Sequence, residues 1–197
     1  TKKNPQWVHF GAGNIFRAFP AALQQKLLNE GIEKTGIIVA EGYDYEIIKK
    51  AYRPQDDLSL LVTLKANGTI EKTVIGSLAE SLAVDRHDAE DWSRLKEIFA
   101  SNTLQMVSFT ITEKGYSITS PDGAFRADVK ADFEAGPENA DSYIGKLAAL
   151  CYWRYTQGAA PLALVSMDNC SHNGDKLFAA VDAYAKAWTE NGKAEKG

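Results

Sequence analysis

The sequence predicts an α/β protein, a doubly wound and mostly parallel sheet with an antiparallel hairpin as an embellishment. Three observations carry this. Short apolar, β-branched runs alternate with segments of helical period along the 197 residues, the pattern of strands joined by helical crossovers. The first run, Trp7 to Phe10, passes through Gly11-Ala12-Gly13 into an apolar-periodic segment, as a strand, a tight turn and a helix do. Asn67-Gly68 stands between two strand-like runs, Leu60 to Leu64 and Ile70 to Ile75, and Asn-Gly is a strong hairpin signal.

Taken in order, Gly11 permits the sharp turn and Gly13 a close backbone approach, so the next helix start offers free N–H groups to an anion such as a dinucleotide pyrophosphate. Phe16 stands where the strict fingerprint has its third glycine. No acidic residue lies between Gly11 and Asn29, and Arg17 falls in the first turn, where the helix dipole disfavours a cation by roughly 0.3–1 kcal/mol. A bound anion removes that conflict; without one, Arg17 is an exposed arginine beside an ordinary strand, turn and helix. Phe19, Leu23 and Leu27 recur at helical spacing up to Gly31, with a regular helix starting at Pro20 after a separate first turn. Gly36 to Glu41 reads as a strand buried on both faces that ends in a carboxylate. Asp44 to Tyr52 reads as helix with Ile47, Ile48 and Ala51 inward.

From Leu58 to Val84 the pattern is that of the antiparallel piece, expected at an edge of the sheet. Asp88 to Ala100 returns to helix, and Leu104 to Phe109 is a strand expected to run on into Thr110 to Tyr116. Ser117 to Glu138, with Pro121-Asp122-Gly123 and Gly136-Pro137, reads as a surface loop or short hairpin. Ile144, Leu147, Ala148, Cys151 and Tyr155 mark a long amphipathic helix, Pro161 to Ser166 a short buried strand, and Leu177, Val181, Tyr184 and Trp188 a last helix.

Composition narrows the classes. A net charge of −4 without a basic, aromatic-rich stripe argues against nucleic acid as a partner. No apolar run approaches the ~20 residues that span a bilayer, which argues against a membrane. The two cysteines, Cys151 and Cys170, read as reduced thiols, so a cytoplasmic location is expected.

In a doubly wound sheet ligands bind beyond the carboxyl ends of the strands, so strand ends supply the candidate residues. Gly11, Ala12, Gly13, Asn14, Ile15 and Arg17 are the phosphate candidates. Glu41, with Asp44 as second choice, is placed to accept hydrogen bonds from an adenosine ribose. No arginine follows within Gly42 to Glu46, which favours NAD over NADP; the plainer alternative is a solvated strand end and a helix cap. Thr112 and Glu113 are expected on the cofactor side of the pocket. Lys114 lacks the desolvated setting a lysine base needs. Asn169 and Asn173 can donate to a carbonyl oxygen gaining negative charge, although Asp and Asn after a strand also serve as turn and cap residues. Asp168, Cys170 and His172 match no zinc spacing, so no metal is expected. His9 reads as a packed core histidine and His87 as solvated.

Three blocks together, Gly11 to Phe19, Thr110 to Tyr116 and Ser166 to Gly174, resemble the mannitol dehydrogenase family, the polyol-specific long-chain dehydrogenases that include fructuronate and tagaturonate reductases. Pro54 to Leu58 and Val74 to Ser77 are similar to family segments as well. The resemblance implies a Rossmann-type NAD-binding domain over 1–197, in an enzyme moving hydride between the cofactor and a sugar alcohol, ketose, hexonate or hexuronate. It implies that Gly11 to Arg17 hold the pyrophosphate and that Asn169 contributes to the oxyanion site, with Asn173 as a second candidate. The family's general base is a lysine in a Lys-x-x-x-x-Asn-x-x-His motif on a largely helical C-terminal domain, and no such motif occurs here. The chain is therefore expected to be the N-terminal portion of a longer enzyme, with that domain as its missing partner. A competing expectation is a Rossmann-like nucleotide-sensing regulator without turnover. A sugar-phosphate enzyme is disfavoured, because no basic cluster stands at the strand ends.

Overall fold

A computed structural model describes residues 1–158 and 160–195 of the chain. Strand β1 (Trp7–Phe10) leads through the glycine turn into α1 (Asn14–Ala18) and α2 (Pro20–Asn29), and β2 (Ile37–Glu41) follows. The helix α3 (Tyr45–Ile47) continues as a wide π turn (Ile48–Tyr52) and a 3-10 turn (Arg53–Gln55). The hairpin β3 (Ser59–Leu64) and β4 (Ile70–Ile75) precedes β5 (Leu78–Ala83) and α4 (Ala89–Ala100). Then come β6 (Met106–Phe109), α5 (Thr112–Tyr116), α6 (Ala127–Ala135), α7 (Tyr143–Thr156), β7 (Ala163–Ser166) and α8 (Asn173–Glu190). Among the described residues no helix is long and apolar enough to cross a membrane.

Five strands form one parallel sheet in the order β5-β2-β1-β6-β7. The chain winds outward from β1 to β5, then returns to the other side of β1 for β6 and β7. The direction reverses between β1 and β6, and a crevice opens there beyond the strand ends. Period-two alternation sends Val8, Phe10, Ile38 and Ala40 to one face, against Leu95 and Phe99 of α4, Leu147 of α7 and Tyr184 and Trp188 of α8. The opposite face of β2 sends Ile37 and Val39 against Ala12, Phe16, Ala21, Ile48 and Tyr52. All of β2 is buried, as expected of a central parallel strand with helices on both sides.

Several elements depart from the sequence expectation, each for a physical reason. The hairpin pairs only with itself and does not join an edge of the sheet. It rests on the α1–α2 layer through Leu61 and Ile75, and Gly76 N–H donates to Gln25 Oε1 at 2.7 Å. Leu78–Ala83, grouped with the hairpin in the sequence, is the edge strand beside β2. Its centre, Ala79-Glu80-Ser81, breaks the apolar run because Glu80 pairs with Arg94 of α4 at 2.9 Å. Residues 127–135 are a helix rather than loop, with Val129 and Phe133 inward and Asp132 buried, accepting from the backbone N–H of Asp141 (2.8 Å) and Ser142 (3.1 Å). On α2 the inward residues are Ala21 and Gln24, while Leu23, and Phe19 just before the helix, are 60% and 66% exposed. Gln24 tolerates burial because its amide donates to Thr35 O at 2.7 Å. The strand β7 lies at the sheet margin and is only half-buried.

Candidate functional site

At the end of β1, Gly11 has φ +111°, and a Cβ there would stand 2.4 Å from the Thr110 carbonyl oxygen, so only glycine fits. The turn is tied from three sides. Gly11 N–H donates to Ala40 O (2.8 Å), Ala12 N–H to Glu41 Oε2 (2.8 Å), and the Tyr52 hydroxyl to Ala12 O (2.8 Å). A Cβ on Gly13 would meet nothing within 4 Å, so its side of the turn is open. Among the described residues the backbone N–H groups of Gly13, Asn14 and Ile15 find no acceptor, the usual condition of a helix start. The five-residue α1 ends at Phe19 before α2 begins, so these free N–H groups, more than a long macrodipole, are what the turn offers an anion.

Beneath the turn His9 is fully buried, hydrogen-bonded through Nδ1 to Ser108 Oγ (2.7 Å) and through Nε2 to Thr110 Oγ1 (2.8 Å). Its ring stacks on Phe16, the residue in the place of the third glycine, at 4.3 Å. Burial lowers its pKa from 6.5 to about 3, so it stays neutral, the packed histidine the sequence suggested. His87 is exposed.

A cleft of about 770 Å³ opens beyond the strand ends, with Gly11, Gly13, Glu41, Tyr43, Thr112 and Tyr143 among its walls. An apolar groove of about 640 Å³ between α7 and α8, at Cys151, Tyr155 and Val181, includes none of the strand-end residues.

Glu41 is 7% exposed and its carboxylate is already engaged. Besides Ala12, it accepts at Oε1 from the N–H groups of Tyr43 (2.8 Å) and Asp44 (3.3 Å). It joins the β1 and β2 turns while lining the cleft, a structural duty the sequence did not disclose. Asp44 is exposed and makes no side-chain capping bond, contrary to the cap alternative.

Arg17 differs from expectation. Its Nη2 donates to Asn14 Oδ1 (2.6 Å), and its guanidinium carbon lies 5.8 Å from the centre of the Tyr52 ring. With Asn14 it lines a separate depression of about 370 Å³ facing the hairpin, so its charge is directed there and the cleft walls do not include it. Ile15 is 59% exposed and contributes backbone only.

On the β6 side, Thr112 lines the cleft at φ +63°, unusual for a β-branched residue, and begins a helix where the sequence suggested strand. The cause is Asp168, fifty-odd residues away in the chain, which the sequence reading left without a role. Its carboxylate accepts from the N–H of Ile111 (2.9 Å) and of Thr112 (3.0 Å) and from the Tyr116 hydroxyl (2.5 Å). An Asp two residues beyond the end of β7 was the available signal. Because α5 is helical, Glu113 turns to Lys176 of α8 and lines another depression, away from the cleft where it was expected. Lys114 does reach the cleft wall.

At the end of β7, Asn169 is exposed and, among the described residues, its carboxamide has no partner. Asn173 is engaged within the loop: its amide donates to Asp168 O (2.6 Å) and its oxygen accepts from Gly174 N–H (2.7 Å), which pins the loop. Among the described residues no three His, Cys, Asp or Glu side chains are grouped as metal ligands.

Strand order, reversal point and glycine turn together define a Rossmann-type domain. A family model described as the mannitol dehydrogenase Rossmann domain matches residues 5–194. A D-mannonate oxidoreductase of Thermotoga maritima is 48% identical over 196 residues, covering 100% of this chain and 36% of the relative. A polyol:NADP oxidoreductase of Gluconobacter oxydans is 32% identical, covering 93% and 38%. The Pseudomonas fluorescens mannitol 2-dehydrogenase, solved as a ternary complex with NAD and D-mannitol, superposes with a TM-score of 0.77 at 27% identity, covering 96% of this chain and 40% of that one. The chain belongs to the mannitol dehydrogenase family and carries the family's Rossmann domain. It spans little more than a third of the length of these relatives.

Proposed function

We propose that this chain is the NAD-binding domain of a dehydrogenase whose substrate is a sugar alcohol, ketose, hexonate or hexuronate. The observation that carries the reading is the cleft at the reversal point, where a glycine-only turn presents unpaired N–H groups beside a buried carboxylate. The bound cofactor supplies hydride chemistry; the chain supplies position and donors. Gly13, Asn14 and Ile15 offer N–H groups to the pyrophosphate. Glu41 keeps the two turns in register and sets negative charge on the adenosine side, which favours a ribose hydroxyl over a ribose phosphate. Thr112, held by Asp168, closes the β6 side. Asn169, whose carboxamide has no partner among the described residues, is the donor for a substrate oxygen that gains charge. The proton that accompanies hydride transfer requires a base, and we place it outside these 197 residues, because the family's lysine motif does not occur in them.

Calorimetric titration with NADH and NADPH tests this reading. NADH is expected to bind at least tenfold more tightly; equal affinity removes the Glu41 argument, and no binding of either removes the reading itself.

A further inference from the structure

Tyr143 opens α7 at the ligand edge of the sheet and is 8% exposed. Its hydroxyl is closed off from solvent and, among the described residues, meets no donor or acceptor. The ring is firmly placed. It stands edge-on to Phe10, with centroids 6.2 Å apart and planes at 81°, and lies flat under Tyr43 at 4.5 Å and 8°. Gly42 admits it, since a Cβ there would come within 2.3 Å of the Tyr143 ring. The polar groups that act on it are engaged elsewhere: Glu41 accepts from the N–H groups of Ala12, Tyr43 and Asp44, and Asp168 accepts from the Tyr116 hydroxyl (2.5 Å) and the N–H groups of Ile111 and Thr112. Burial holds the phenol protonated, well above its ordinary pKa of 10, so the group on offer is a neutral O–H.

A phenylalanine would fill this space equally well without an unmet hydroxyl, and folded proteins rarely leave one in place. The cleft wall that contains Tyr143 also contains Gly13 and Glu41. We propose that the Tyr143 hydroxyl donates a hydrogen bond to the adenosine half of the dinucleotide, with Tyr43 as the movable ring that covers it until the cofactor enters. This rests on the dinucleotide reading of the cleft. The adenosine half follows from position: Tyr143 touches Phe10, Gly42 and Tyr43 at the ends of β1 and β2, beside the carboxylate that in this strand order faces the adenosine ribose. Thr112 and Asn169 stand at the ends of β6 and β7. Tyr43 is 60% exposed and has its outer face open to a purine.

Tyr143→Phe in the 197-residue chain tests the proposal through the dissociation constants of NADH and of ADP-ribose and the melting midpoint without ligand. Both ligands are expected to bind roughly tenfold more weakly, the scale of one hydrogen bond, with the midpoint unchanged or raised. Unchanged affinities overturn it, and with a lowered midpoint they assign the hydroxyl to a buried water. A loss for NADH but not ADP-ribose overturns the placement on the adenosine half. If the unaltered chain binds neither ligand, the dinucleotide reading fails first; if it binds both and the variant binds as well, only the Tyr143 contact fails.

Discussion

The two halves of the ligand edge are built differently. At the ends of β1 and β2, backbone and side chains lock into one another: β2 is buried throughout, Glu41 accepts three N–H groups, and His9 is held by two hydroxyls. At the ends of β6 and β7, β7 is only half-buried, one carboxylate organises the loops, and Asn169 faces solvent with, among the described residues, no partner for its carboxamide. The difference teaches that polar residues at strand ends divide by partner. Those answered inside the fold carry stability and shape the cleft, and those left unanswered are the ones available to a ligand.

The largest expected contrast is in pH. Unfolded His9 takes a proton near pH 6.5, whereas the folded residue stays neutral down to about 3. The unfolded state therefore binds more protons in that window, so stability is full above about 6.5 and falls with acidification, by on the order of 1.4 kcal/mol per pH unit. Urea unfolding between pH 7 and 4 should show this slope, and His9→Gln should flatten it; the same slope in the variant places its origin elsewhere.

Next in size is Glu41→Ala. It strips the acceptor from three N–H groups and should cost about 3 kcal/mol, or roughly 6–12 °C in melting temperature. A change below about 0.5 kcal/mol contradicts the locked half. The smallest effect belongs to the open half: Asn169→Ala should leave stability within about 0.5 kcal/mol, as at other unpartnered surface positions. A loss comparable to Glu41→Ala would dissolve the contrast.

The sequence made the β1 half legible because local signals and tertiary structure agree there: a two-glycine turn after an apolar strand, a proline at a helix start, a carboxylate closing β2. The open half was legible as a place but not as a set of roles. Whether Thr112 starts a helix depends on Asp168, and whether Asn173 is free depends on the Asp168 carbonyl, contacts that no local pattern encodes. Arg17 misled for a related reason. Its charge looked unanswered in sequence, and the answer was the Tyr52 ring and Asn14 on the far side of the turn. Leu78–Ala83 was hidden because its polar centre is matched by Arg94, a helix later in the chain.

The central claim is that the N–H groups after Gly11 receive a pyrophosphate. Amide chemical shifts of the 15N-labelled chain, followed while ADP-ribose is added, test it directly. The account predicts that Gly13, Asn14 and Ile15 shift most and saturate together. Shifts confined to the groove at Cys151 and Val181, with those three amides unmoved, would contradict it.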